Sequence, residues 1–329
     1  MQRRIAGALL ATLPLCAARA QTPLVDHHQH LFSPATVALV APPAPATDTA
    51  APGPRVEPIT ARDLVALLDS AGIRRALVLS MAYTWGKPGR QVADEYAKVR
   101  AENDWTSAQV AQYPGRLRAF CSVNPLRDYA LEELARCARD PRLRLGLKLH
   151  FGNSAVDVHD PAHLAQLRRV FRAANGYRMP IVVHLRASYS KGLPYGRAEA
   201  QIFLDSLLPA APDVPVQIAH LAGSAGYDDP TTDAALSAFV DAIARHDPRT
   251  RRLWFDVATN VAPDITPERA RLVATRLRQL GLKRILWGSD AATGGNLAPR
   301  ESWAAFHRLP LTAAEFRTIA TNVAPWMDW

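Results

Sequence analysis

Leu24-Val25-Asp26-His27-His28-Gln29-His30-Leu31, residues 24–31, opens on an apolar pair and ends in a cluster of imidazoles. The opening reads as a buried β-strand. The residues just after this strand distinguish two architectures. An open, doubly wound parallel sheet usually turns at this point on glycines that receive a phosphate. Here His28-Gln29-His30 stands in their place. Side chains alternate along a strand, so His28 and His30 point to the same side. Two imidazoles so spaced can bind one divalent metal.

Outward from this stretch the same unit recurs. Short apolar runs rich in β-branched residues cover 24–31, 75–83, 117–125, 145–151, 180–186, 214–221, 253–259 and 284–290. Amphipathic helical stretches lie between them at 61–71, 93–112, 131–139, 163–175, 198–208, 234–245 and 267–280. Thr60, Thr232 and Thr266 sit at N-cap-like positions, and Pro267 falls in a first helical turn. Strands alternating with helices imply parallel pairing through right-handed crossovers. Eight such units in 329 residues close into a barrel more readily than they form an open sheet. The expectation is an α/β chain forming one (β/α)8 TIM barrel over residues 21–329, with the doubly wound sheet as runner-up. One segment breaks the rhythm. Residues 32–58 hold seven prolines, which forbid continuous helix or sheet. They read as a long Pro/Ala-rich loop over the top of the barrel, shaping the substrate pocket or serving no role.

Residues 1–20 have the form of a signal peptide. Arg3 and Arg4 precede an apolar run, residues 5–16, too short to span a bilayer, and Ala18-Arg19-Ala20 is a small-x-small cleavage site. Leu13-Pro14-Leu15 before Cys16 is a poor lipobox. The expected mature chain starts at Gln21, carries no membrane anchor, and is periplasmic or secreted. Removal of Arg3, Arg4 and Arg19 lowers the net charge from +9 to +6. The remaining excess is spread along helices, with no basic block interleaved with aromatics, so nucleic acid is not an expected partner. The expected partner is a small-molecule substrate; self-association into a homo-oligomer stays open. Cys121 and Cys137 remain after cleavage, and the sequence leaves them open as a disulfide or as two buried thiols.

Barrel enzymes keep their reactive groups at the C-terminal ends of the strands. These ends carry His28 and His30, then Lys148 and His150, His184, His220 and Asp290. Lys148 to His184 is 36 residues, as is His184 to His220, and His220 to Asp290 is 70, close to two further units. Polar groups thus recur at one position of successive units and converge on one axis. Imidazoles with a carboxylate suit zinc, manganese, iron or nickel better than calcium or magnesium. Such a site lowers the pKa of bound water toward ~7. Asp290 could touch the metal and accept the water's proton, and His220 could polarise a carbonyl or bind a second metal. His27 faces the other side of its strand. His159, His163, His246 and His307 fall on loops or helices. Tyr83, Trp85, Asn124, Asn153 and Asn260 lie just past other strands and are pocket candidates. Ser289 lacks the Gly-x-Ser-x-Gly elbow of a serine nucleophile.

This ordered set resembles the amidohydrolase superfamily, in the amidohydrolase-2 branch that includes aminocarboxymuconate-semialdehyde decarboxylase and several lactonases. Val25 to His30 resembles the branch's opening Asp-x-His-x-His, Gly288-Ser289-Asp290 its closing Gly-(Ser/Thr)-Asp, and Asn322-Val323-Ala324 its C-terminal Asn-Ala turn. The resemblance implies one divalent metal, zinc first and manganese second, on His28, His30, His184 and Asp290. It implies His220 as a nearby catalytic group and Lys148 as a potential bridge to a less expected second metal. His150 and Arg186 are substrate-contact candidates, Arg186 standing equally as a structural salt bridge. The expected reaction is hydrolysis of a C–O or C–N acyl bond in a lactone, ester or amide, with Asp290 as general base. The alternative is non-oxidative decarboxylation of an aromatic or enoic acid. A metal- or solute-binding protein on a retired scaffold is a third class, against which the intact ligand set argues.

Overall fold

The computed structural model describes residues 21–40, 57–292 and 295–327. The expected signal at 1–20 lies outside them, as does the 41–56 part of the Pro/Ala-rich segment. Eight parallel strands form one sheet in sequential order. They are β1 (Val25–Gln29), β2 (Arg75–Leu79), β3 (Leu117–Ser122), β4 (Leu147–His150), β5 (Ile181–His184), β6 (Val216–Ile218), β7 (Leu253–Asp256) and β8 (Ile285–Leu286). Each falls inside an expected run but is shorter, and β4 and β6 hand over directly to the helical turns Phe151–Ser154 and Ala219–Ala222. Two backbone bonds join the first strand to the chain after the last: His27 N–H to Trp287 O (3.0 Å) and Asp290 N–H to His28 O (2.8 Å). The expected (β/α)8 barrel is the observed fold.

Apolar side chains pack in two layers. Val25, Leu77, Leu79, Phe120, Val182 and Leu286 form an inner cluster, joined by Ala324 and Met327 of the C-terminal segment. A larger shell lies between strands and helices, where helix Ala61–Ala71 turns Ala61, Leu64, Val65 and Leu68 inward. That helix starts on a reciprocal capping box of Thr60 and Asp63, as expected of Thr60. Thr266 likewise caps Pro267–Leu280. Thr232 does not cap: it is buried inside helix Pro230–Ala244, and Asp229 holds the cap position by accepting from Thr231 N–H (2.8 Å). Pro230 marks the true start, since proline is tolerated in a first turn.

Two further expectations need correcting. The segment after β1 is not irregular throughout, because Pro34–Val40 forms a helix. Pro34 begins it and Ser33 caps it, accepting from Thr36 N–H (3.0 Å). An antiparallel bridge from Phe32 to Ile59 closes the base of the excursion. The stretch read as helix through 208 passes at Phe203–Leu207 into a π-helical turn. Two C-terminal helices, Pro299–Phe306 and Ala313–Thr321, went unread in the sequence. Cys121 on β3 and Cys137 on helix Ala130–Cys137 are joined as a disulfide.

Candidate metal centre

Parallel register sets the first pair of groups. His150 of β4 is aligned with His184 of β5, so the two imidazoles stack at 3.8 Å between centroids. Two residues earlier, on the same face of β4, Lys148 is almost wholly buried. β1 carries an irregularity between Asp26 and Gln29, where one extra residue re-aims side chains. His28 and His30 line a cavity of about 550 Å³ at the strand ends, while His27 and Asp26 turn away from it. His27 lies against the C-terminal segment, its Nδ1–H donating to Trp287 O (3.0 Å) and its Nε2 accepting from Ala324 N–H (3.2 Å). Asp26 accepts from Ser289 Oγ (2.6 Å), Gln29 Nε2 (2.7 Å) and the backbone N–H groups of His28 and Ser289 (both 3.1 Å). Burial raises its carboxyl to about 6.

His28, His30 and Asp290 bring one potential ligand atom each within 4.8 Å of one another. His30 Nε2 is 3.7 Å from Asp290 Oδ1. Asp290 itself sits in left-handed backbone, φ 53°, a conformation that L-residues adopt uncommonly. The carboxylate at this turn depends on Gly288: a Cβ there would lie 2.8 Å from the Cβ of His28, so only glycine lets the tail of β8 pass so close to β1.

The imidazoles are oriented from behind. His28 Nδ1–H donates to Asp256 Oδ2 (3.0 Å), His30 Nδ1–H to Leu79 O (2.6 Å) and His220 Nδ1–H to Ala258 O (2.9 Å). A carbonyl oxygen can only accept, so the proton of His30 and of His220 is on Nδ1. The carboxylate partner implies the same for His28. In a neutral ring Nε2 is then left as a bare lone pair, the state a metal requires of an imidazole. Burial first, then the cation of Lys148, pushes His28 down to about 3. Burial likewise holds His30, His184 and His220 below the ordinary histidine value. Neutral, pre-oriented nitrogens beside a carboxylate fit a divalent metal.

Asp256 is the residue that the sequence reading missed. It is fully buried at the end of β7. Oδ2 accepts from His28 Nδ1–H (3.0 Å) and Gln217 Nε2 (2.7 Å); Oδ1 accepts from the N–H groups of His220 (2.9 Å) and Ala258 (3.2 Å). Burial would raise its carboxyl, but the electrostatic attraction of the His28 and His220 N–H groups and the hydrogen bonds they donate outweigh burial and hold it below the usual carboxylate range. His28, His220 and Asp256 form a second cluster of potential ligands. With four donors on its two oxygens, however, Asp256 has its acceptor sites filled and orients the imidazoles instead. A signal for it existed: Asp256 lies 36 residues past His220, one more step of the interval that links Lys148, His184 and His220.

The remaining candidates divide. His184 lines the same cavity but joins neither ligand cluster; its Nε2 is 3.1 Å from Ser224 Oγ. Lys148 Nζ lies 3.4 Å from His28 Nε2, and burial lowers it to about 8 against the pull of Asp256 and Asp290. His220, with its proton on Nδ1, offers a lone pair to the cavity. His150, Tyr83 and Asn153 line the cavity. Arg186 is not among the cavity-lining residues. Its Nε meets Asp229 (3.2 Å) and its guanidinium lies over Tyr189 (3.8 Å) and Tyr195 (4.6 Å), which makes it the structural salt bridge. Trp85, Asn124 and Asn260 support the loops instead: Asn124 holds Gly86 O (2.6 Å), and Asn260 holds His220 O (3.0 Å).

A family described as amidohydrolase matches residues 25–322. No curated protein sequence matches the chain. Among solved structures, it is similar to 2,6-dihydroxybenzoate decarboxylase from Rhizobium, at a TM-score of 0.62 and 16% identity over 91% of this chain and 96% of that one. It is similar to a probable 2-pyrone-4,6-dicarboxylic acid hydrolase from Acinetobacter baumannii, at 0.55 and 17% over 90% and 96%. It is also similar to 5-carboxyvanillate decarboxylase from Novosphingobium aromaticivorans, complexed with manganese, at 0.60 and 12% over 94% and 96%. At these identities the likeness is one of fold.

Proposed function

Because the chain belongs to the amidohydrolase family, we propose that it is a metal-dependent hydrolase that cleaves a C–O or C–N acyl bond of a small molecule, such as a lactone, ester or amide. The convergence of His28, His30 and Asp290 at the floor of the cavity carries this reading. These three, with His184 from the same wall, would hold one divalent cation. Zinc suits the nitrogen and oxygen donors, and manganese, present in a structural neighbour, is the second choice. When bound, the cation supplies Lewis acidity and acidifies water toward ~7.

The chain's own groups do the rest. Asp290 accepts a proton at its carboxylate and returns it to the leaving group. Asp256 keeps the proton of His28 on Nδ1. Lys148, the cation at the floor, faces the negative charge that develops on the substrate oxygen. Decarboxylation of an aromatic or enoic acid is the second reading. It is favoured by that same buried lysine, which gives a substrate carboxylate a counter-charge. A protonated Asp290 would then deliver its proton to carbon. Export is part of the proposal, supported by the form of residues 1–20 and by the Cys121–Cys137 disulfide, a bond that persists in oxidising compartments.

Metal content of protein purified from the periplasm tests the core of this. About one equivalent of zinc or manganese is expected, and a wild-type chain that takes up none on reconstitution refutes the reading. Lactones, esters and amides, assayed for acid release, are then set against aromatic acids assayed for carbon dioxide. Mass spectrometry of the exported chain tests the start at Gln21.

A further inference from the structure

We propose that the cavity takes a substrate with two carboxylates, and that Lys87 and Arg90 receive the one that does not react. This rests on the proposed function, since it takes the His28–His30–Asp290 end as the reacting end. Among the described residues that line the cavity, Lys87, Arg90 and Lys148 are cationic and Asp290 alone is acidic. Lys148 stands at the floor against His28. Lys87 and Arg90 come from the segment after β2, and among the described residues neither has an ion-pair partner. Among the described residues the Arg90 guanidinium donates only to a neutral carbonyl, Thr84 O, at 3.3 Å.

The segment that carries them is held from below. Thr84 Oγ1 donates to Met81 O (2.6 Å), Lys87 N–H to Thr84 O (3.4 Å) and Arg90 N–H to Lys87 O (3.2 Å). Asn124 Nδ2 fixes Gly86 O (2.6 Å), and the two residues pack so closely that a Cβ on Gly86 would lie 2.9 Å from that of Asn124. Trp85 between them is buried. Lys87 and Arg90 are half-buried and line one cavity, so an anion entering it meets two positive charges. The guanidinium fork of Arg90 matches a carboxylate, and binding costs little reorganisation because the turns already exist.

The test is isothermal titration of the metal-loaded protein with linear α,ω-dicarboxylates from succinate to suberate, each against its own monomethyl ester. The length series covers the unknown span between the two ends. At least one diacid should bind about tenfold more tightly than its monoester, the worth of one charge-assisted hydrogen bond. In a Lys87→Gln/Arg90→Gln double variant that preference should fall to about twofold or less. A Lys87→Arg/Arg90→Lys swap should keep it, which separates lost charge from a damaged loop. No preference in the wild type, no binding of any diacid, or a preference that survives in the double glutamine variant each overturns the proposal. Metal content is measured on the same samples. Bound metal with no diacid preference sinks the two-carboxylate clamp alone, whereas absent metal sinks the metal-dependent reading, and the diacid ratio is still read.

Discussion

Replacing Asp256 by asparagine changes almost no volume but removes one acceptor oxygen from a carboxylate that serves four donors. The amide oxygen can keep the two backbone N–H groups of His220 and Ala258. Its NH₂ then faces Gln217 and His28. Gln217 can adapt by turning its amide over, since its Oε1 has no partner at present. His28 can adapt only by becoming an acceptor at Nδ1, which moves its proton to Nε2. That is the nitrogen it offers to a metal, so the ligand is blocked while the fold stays intact. Loss of such an orienting group costs about 10–100-fold in metal affinity, or about 1.4–2.7 kcal/mol. Competition with a chromophoric chelator measures the affinity, and circular dichroism confirms the fold. An Asp256→Asn protein that binds zinc as tightly as wild type would refute the view that Asp256 sets the proton position on His28.

Other consequences are more direct. His30→Ala should lower metal occupancy more than His184→Ala, because His30 faces Asp290 with a free Nε2 whereas His184 is engaged with Ser224; equal losses by emission spectroscopy would equate the two. Gly288→Ala forces a methyl against His28, at 2.8 Å from Cβ and 3.0 Å from N, and should cost about 1–3 kcal/mol in a urea melt; an unchanged midpoint would mean that β1 and β8 part freely. Acid should destabilise the metal-free protein. Burial holds His27 down to about 4 and His28 to about 3, from 6.5. The unfolded chain therefore binds protons that the native state refuses, and stability falls as pH drops from 6.5 toward 4. Asp26 works the other way, its carboxyl raised from 3.8 to about 6, so its contribution is lost as pH rises through that window. The histidines outnumber it, and Asp26→Asn should steepen the acid decline; a melting temperature flat from pH 7 to 4 contradicts the dominance of the histidines, and an Asp26→Asn decline no steeper than wild type contradicts the sign for Asp26.

The period of the sequence determined the architecture. Eight apolar runs separated by helical stretches admit few arrangements, and each observed strand lies within its run. The strand-end pattern also named His28, His30 and Asp290, because a polar group closing an apolar run is visible without coordinates. Helix starts were legible where a threonine stood alone, as at Thr60 and Thr266, and misleading at Thr232, where Asp229, three residues earlier and followed by Pro230, holds the cap.

Tertiary structure decided what depends on distance between strands. Asp256 and His28 are 228 residues apart, and only the closed barrel makes one the orienter of the other. Arg186 stood equally as substrate contact and salt bridge in the sequence, because its ion-pair partner Asp229 lies 43 residues away on another segment. The side on which Asp26 falls was set by the irregularity in β1, which alternation along a single strand does not foretell. Pairing of Cys121 with Cys137 needed the docking of one helix on β3. Local periodicity is encoded residue by residue along the chain. The proton positions and charge balance of the cavity belong to contacts between strands, which exist only once the barrel has closed.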